Sequence, residues 1–125
     1  MDAISAKMVV KKPSSARYVD FPIPAEQLLE GEPESKVSFT GQSPDRKLTH
    51  GVWHCTPCKF TWDYTWDEFV TIVDGEVIIE EEGGPRHTLQ KGDCVYFPPG
   101  LKTTWTIPKY IKKCFAIRSP EPLEL

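Results

Sequence analysis

The side chains with most chemical potential lie between residues 55 and 114. Phe60, Trp62 and Tyr64 alternate with Thr61 and Asp63, the period of two that puts aromatic rings on one face of a strand. Glu68 follows closely, and Thr103 to Ile107 forms a later strand pattern around Trp105. By this alternation Trp62, Tyr64 and Trp105 are expected to point inward near Glu68. Flat apolar walls with an indole N–H, a phenol and one carboxylate suit a small polar or nitrogen-containing molecule whose amine or amide pairs with the acid. The competing reading is that the rings simply fill a small barrel. A carboxylate among aromatics must be protonated or paired. Paired, it stays ionised and can hold a cationic ligand or act as a general base.

The second candidate is Cys55-Thr56-Pro57-Cys58, a spacing used by thiol redox enzymes and zinc sites. The redox motif normally opens a helix, whereas this one ends a strand pattern, and zinc would need two more ligands while Cys94 and Cys114 stand singly. His50, His54 and His87 are isolated and are expected in packing or surface roles. There is no Ser-His-Asp order, phosphate-cradling glycine loop or basic amphipathic helix.

Fifteen basic against eighteen acidic residues give a net charge of −3, which offers no general attraction for nucleic acid. The opening MDAISAKMVV has no apolar core of the kind a signal peptide needs, and no run is long enough to span a bilayer. The expectation is a cytoplasmic protein with no membrane partner and four reduced cysteines.

These residues must be positioned by strands. A chain of 125 residues is expected to form one domain. Short strands are expected over 37–39, 48–56, 60–64, 88–89, 94–97, 103–107 and 111–118. Asp74-Gly75 reads as a two-residue hairpin turn between arms 68–73 and 76–82, and Gly83-Gly84-Pro85, Gly92-Asp93 and Pro98-Pro99-Gly100 as further turns. The run Glu80-Glu81-Glu82 reads as a solvated edge. Many short strands without a long helix argue for an all-β barrel or sandwich. The expected organisation is an arm over 1–36, a barrel over 37–118 and a tail over 119–125. A strand over 17–21 and a helical turn over 25–30 would lie in the arm, which is expected to wrap over the barrel or a partner subunit.

The order Glu68, six residues, Gly75, then Gly92, five residues, Pro98, one residue, Gly100 resembles the two motifs of the cupin superfamily. Ser43-Pro44-Asp45, Gly51-Val52-Trp53, Thr56-Pro57, Asp67-Glu68-Phe69-Val70, Asp74-Gly75-Glu76, Trp105 and Lys113 together resemble one cupin subfamily over 43–117. That subfamily was first described as a domain of unknown function and includes ureidoglycine aminohydrolase-like and ethanolamine-utilisation cupins. Cys58 departs from it, standing where glycine usually follows Thr-Pro. The resemblance implies a single cupin-type jelly-roll β-barrel and a homodimer.

In the superfamily a metal sits on three histidines and one carboxylate. The matching positions here are Trp62, Tyr64, Glu68 and Thr103, of which only Glu68 keeps a metal-binding side chain. Indole does not coordinate, so no metal and no other cofactor is expected. The resemblance also places Lys113 as the natural partner of Glu68; its other reading is an exposed strand lysine beside Lys112. Three functional readings follow. The first is a metal-free cupin with Trp62, Tyr64, Glu68, Thr103 and Trp105 around a small-molecule ligand. The second is an enzyme of aminohydrolase-like, isomerase or lyase type, with Glu68 as base, Tyr64 as acid and Lys113 beside them. The third is an accessory or structural subunit whose own side chains fill the barrel.

Overall fold

The computed structural model describes residues 6–125. Ten strands carry the described chain: β1 (Val19–Asp20), β2 (Leu28–Glu30), β3 (Ser35–Gln42), β4 (Leu48–Cys55), β5 (Cys58–Asp63), β6 (Asp67–Glu81), β7 (Arg86–Gln90), β8 (Cys94–Phe97), β9 (Lys102–Ile107) and β10 (Ile111–Arg118). The only helical element among the described residues is a 3-10 turn at Pro13–Ser15. No helix there is long and apolar enough to cross a membrane. Every pairing is antiparallel. One sheet runs β1-β3-β4-β10-β6-β8 and the other β2-β5-β9-β6-β7. The result is the expected all-β jelly-roll barrel.

The Asp74-Gly75 hairpin does not form. β6 runs unbroken through it, its first half in one sheet and its second half in the other. β10 pairs Lys113 with Ile72 but Lys112 with Asp74, so Val73 is an extra residue and the strand bends at a bulge. Gly75 has the expected positive φ of 80°, but the reason is a bend against β10: a Cβ there would collide with the carbonyl of Tyr110. The chain reverses instead at Gly83-Gly84, where Gly83 has φ 68° and the Gly84 N–H donates to the Glu81 carbonyl at 2.9 Å. The acidic run flanks this turn and is partly paired, Glu80 with Arg86 at 3.4 Å and Glu81 with His87 at 2.8 Å.

The arm is stitched to both sheets of its own barrel. β1 adds to β3 with Val19 opposite Val37, and β2 adds to β5 with Leu28 opposite Phe60. The helical turn expected over 25–30 shrinks to a tight turn, with the Gln27 N–H on the Pro24 carbonyl at 2.9 Å, before the chain extends into β2. At the other end, the Ser119 N–H donates to the Lys47 carbonyl and the Leu123 N–H to that of Arg46, both at 2.8 Å. The Gln42 side-chain amide donates to the Leu123 carbonyl at 2.9 Å. The last residues are therefore docked along the loop between β3 and β4.

The core lies between the sheets and is built from the inward rows of β4, β5, β6, β9 and β10. Trp105, Ile72, Ile107, Ile111 and Val77 are almost wholly buried, each contributing about 1.5–3 kcal/mol of apolar transfer.

Candidate functional site

Trp53 and Trp105 stand edge to face with centroids 5.9 Å apart, and Phe60 stacks on Trp105 at 5.7 Å. β4, β9 and β5 supply these three rings through their inward rows. Tyr64 lies just beyond β5 and is held by two backbone hydrogen bonds to the turn after β8. Its N–H donates to the Leu101 carbonyl at 2.8 Å and its carbonyl accepts from the Gly100 N–H at 2.7 Å. Pro98-Pro99-Gly100 thus fixes the ring, which stacks on Phe97 at 4.3 Å and 3°. Trp53, Phe60, Tyr64 and Trp105 together wall a cavity of about 530 Å³, with Phe97 behind Tyr64.

One ion pair sits in that wall. The Lys113 ammonium donates to Glu68 Oε2 at 2.7 Å, and the two side chains are only 11% and 13% exposed. Lys113 Nζ also lies 5.0 Å from the Trp53 ring, 4.9 Å from Trp105 and 5.7 Å from Phe115, distances at which the π faces attract a cation. The pair spans β6 and β10, adjacent strands whose bulge shifts Lys113 into register with Ile72.

Burial, and then the charge of Glu68, hold the Tyr64 hydroxyl well above the usual phenol range, so it keeps its proton at neutral pH. The Thr103 hydroxyl and the Trp105 indole N–H partly offset those effects. The indole N–H itself is buried without a well-formed hydrogen bond.

Trp62, Tyr64, Glu68, Trp105 and Lys113 all line the cavity. Thr103 does not: its hydroxyl donates to the Trp62 carbonyl at 2.9 Å, tying β9 to β5. Of the four positions that match a cupin metal set, one is an indole, one a protonated phenol and one a hydroxyl committed to the backbone. Only Glu68 offers an ionised oxygen, and that group is already paired with Lys113. Among the described residues no three His, Cys, Asp or Glu side chains gather as a metal-holding group. This donor set does not fit a resident transition metal.

The histidines lie elsewhere. His50 Nδ1 meets the Thr40 hydroxyl at 2.6 Å, His87 pairs with Glu81, and His54 packs edge-on against Tyr18 at 4.8 Å. Cys55 and Cys58 are buried at the corner where the chain crosses from one sheet to the other, their sulfurs 3.8 Å apart. The hydrogen bond between them raises the proton affinity of Cys55 and lowers that of Cys58, and burial adds to the rise at Cys55.

The EutQ-like cupin domain family matches residues 42–115. The chain belongs to this family. Solved structures place the cupin fold over nearly its whole length. A putative ethanolamine utilization protein Q from Salmonella typhimurium is 17% identical, covers 92% of this chain and 86% of its own, and superposes with a TM-score of 0.72. The EutQ protein of Clostridium difficile is 18% identical over 79% of this chain and 81% of its own, with a TM-score of 0.62. A protein of unknown function from Pseudomonas syringae, of the DUF861 family, is 23% identical over 82% of this chain and 45% of its own, with a TM-score of 0.75. No curated protein matches.

This cupin also uses residues that sequence reasoning did not assign to the site. Trp53 and Phe115 form the cage around Lys113, and Phe21, Leu123 and Leu125 stand at the cavity mouth. Inward alternation of Thr49, Gly51, Trp53 and Cys55 on β4 was the available signal for Trp53. No local pattern marks the mouth.

Proposed function

We propose that this EutQ-like cupin binds a small polar or nitrogen-containing metabolite inside its barrel, without a resident metal. The observation that carries the reading is the Glu68–Lys113 pair, nearly buried yet set in the wall of a cavity of about 530 Å³. A barrel filled by its own side chains, as in an accessory subunit, has no such space. Aromatic walls with a few convergent polar groups are the usual make-up of a small-molecule site. The enzyme reading, with Glu68 as base and Tyr64 as acid, draws less support: Glu68 Oε2 is already occupied by the Lys113 ammonium, and a phenol held above its usual range is a reluctant acid.

The protein works in the cytoplasm as a homodimer in this reading. All four cysteines are free, which suits a reducing compartment, and the adjoining exposed rings of Phe69 and Tyr96 offer an apolar face to a second copy.

Native mass spectrometry of the purified protein, with elemental analysis, tests the proposal. The expected result is an organic mass bound without stoichiometric metal, lost in Trp62→Ala. One metal per subunit would overturn the metal-free reading. A barrel that carries no organic mass and takes up nothing from a fragment library by ligand-observed NMR would overturn the binding reading.

A further inference from the structure

Resting on the ligand site just proposed, we infer that the cavity selects an uncharged ligand: an apolar body bearing one neutral N–H or O–H donor, such as an amide, directed at the free oxygen of Glu68. Glu68 Oε2 is taken by Lys113, whereas among the described residues nothing donates to Oε1. Glu68 lines the cavity, and Oε1 is not among the buried polar atoms. One acceptor in the cavity wall therefore remains open.

Both ionic alternatives meet opposition. The aromatic cage that would hold a ligand cation already holds Lys113, with Trp53, Trp105 and Phe115 around its ammonium. A second cation brought to Oε1 would face repulsion from Lys113 while giving up its hydration, and the pair it approaches has no net charge to compensate. A carboxylate would compete with Glu68 for Lys113 and would pass Asp63 at the cavity rim. A neutral donor satisfies Oε1 without disturbing the pair, and its apolar remainder stacks on the walls.

Three probes of nearly equal shape separate these cases: benzamide, benzylammonium and benzoate, titrated at neutral pH and followed by tryptophan fluorescence and saturation-transfer NMR. Benzamide is expected to bind at least about tenfold tighter than either ion, a difference of roughly 1.4 kcal/mol. Lys113→Met frees Glu68 and is expected to move the preference to benzylammonium; Glu68→Gln frees Lys113 and is expected to move it to benzoate. Circular dichroism confirms that each variant is folded, and the wild-type series decides the matter if one is not. An ion that binds the wild type as tightly as benzamide overturns this inference and leaves the ligand site standing. No saturable response to any probe overturns the ligand site itself.

Discussion

Removing the ammonium of Lys113 should cost this cupin far more than removing the whole ion pair. At 2.7 Å and an effective dielectric of about 20, the attraction is on the order of 6 kcal/mol. Much of it offsets the lost hydration of two groups only 11% and 13% exposed, so the net worth of the pair is small. Lys113→Met withdraws the attraction but leaves the carboxylate in the aromatic wall, at a cost of about 3–5 kcal/mol, and loses the contacts to Trp53, Trp105 and Phe115. For a domain of this size that lowers Tm by roughly 10–20 °C. The double variant Glu68→Leu/Lys113→Met leaves no buried charge and is expected within about 1 kcal/mol of wild type, or above it. Urea unfolding followed by tryptophan fluorescence and by circular dichroism measures both. A single variant within about 1 kcal/mol of wild type, or a double variant as unstable as the sum of its parts, would refute the reasoning.

Gly75→Ala should destabilise the barrel by at least about 3 kcal/mol in the same assay, because a φ of 80° is strained for alanine and its methyl meets the Tyr110 carbonyl. Asp67 is held below the usual carboxylate range first by the Tyr96 hydroxyl and then by Arg118. With its folded pKa depressed, its stabilising contribution is present above the unfolded value of 3.8 and is lost as pH falls through the folded one. Melting curves of Asp67→Asn should therefore lose less stability than wild type across that acid window, and equal losses would argue against the assignment. Thiol titration should find Cys94, which is exposed, reacting first, with buried Cys55 and Cys58 reacting only as the protein unfolds; early labelling of the buried pair would show that the corner opens in the native state.

The inward rings were legible because a strand reports its faces at a period of two, so Trp62, Tyr64 and Trp105 could be placed on the cavity side from residue types alone. Asp74-Gly75 misled because a glycine at positive φ serves a hairpin and a bulge equally well. What separates them is the position of Tyr110, which local chemistry does not encode. The Glu68–Lys113 contact joins residues distant in the chain and was accessible only through family resemblance. Thr103 occupies a site position by spacing, yet its hydroxyl finds the Trp62 carbonyl first, since a buried hydroxyl takes the nearest strong acceptor. Residues 119–125 show no periodicity, and their role depends wholly on the β3–β4 loop they dock against.

That docking has a practical side. Leu123, Glu124 and Leu125 border the cavity mouth, and Glu124 is anchored by Arg46. Any polypeptide continuing beyond Leu125 would begin its path there, so an affinity tag or fluorescent fusion joined at that end would sit over the entrance. A histidine tag there would also bring imidazoles beside Asp63 and Glu68, a donor set that binds transition metals by itself and would confound both ligand titrations and elemental analysis.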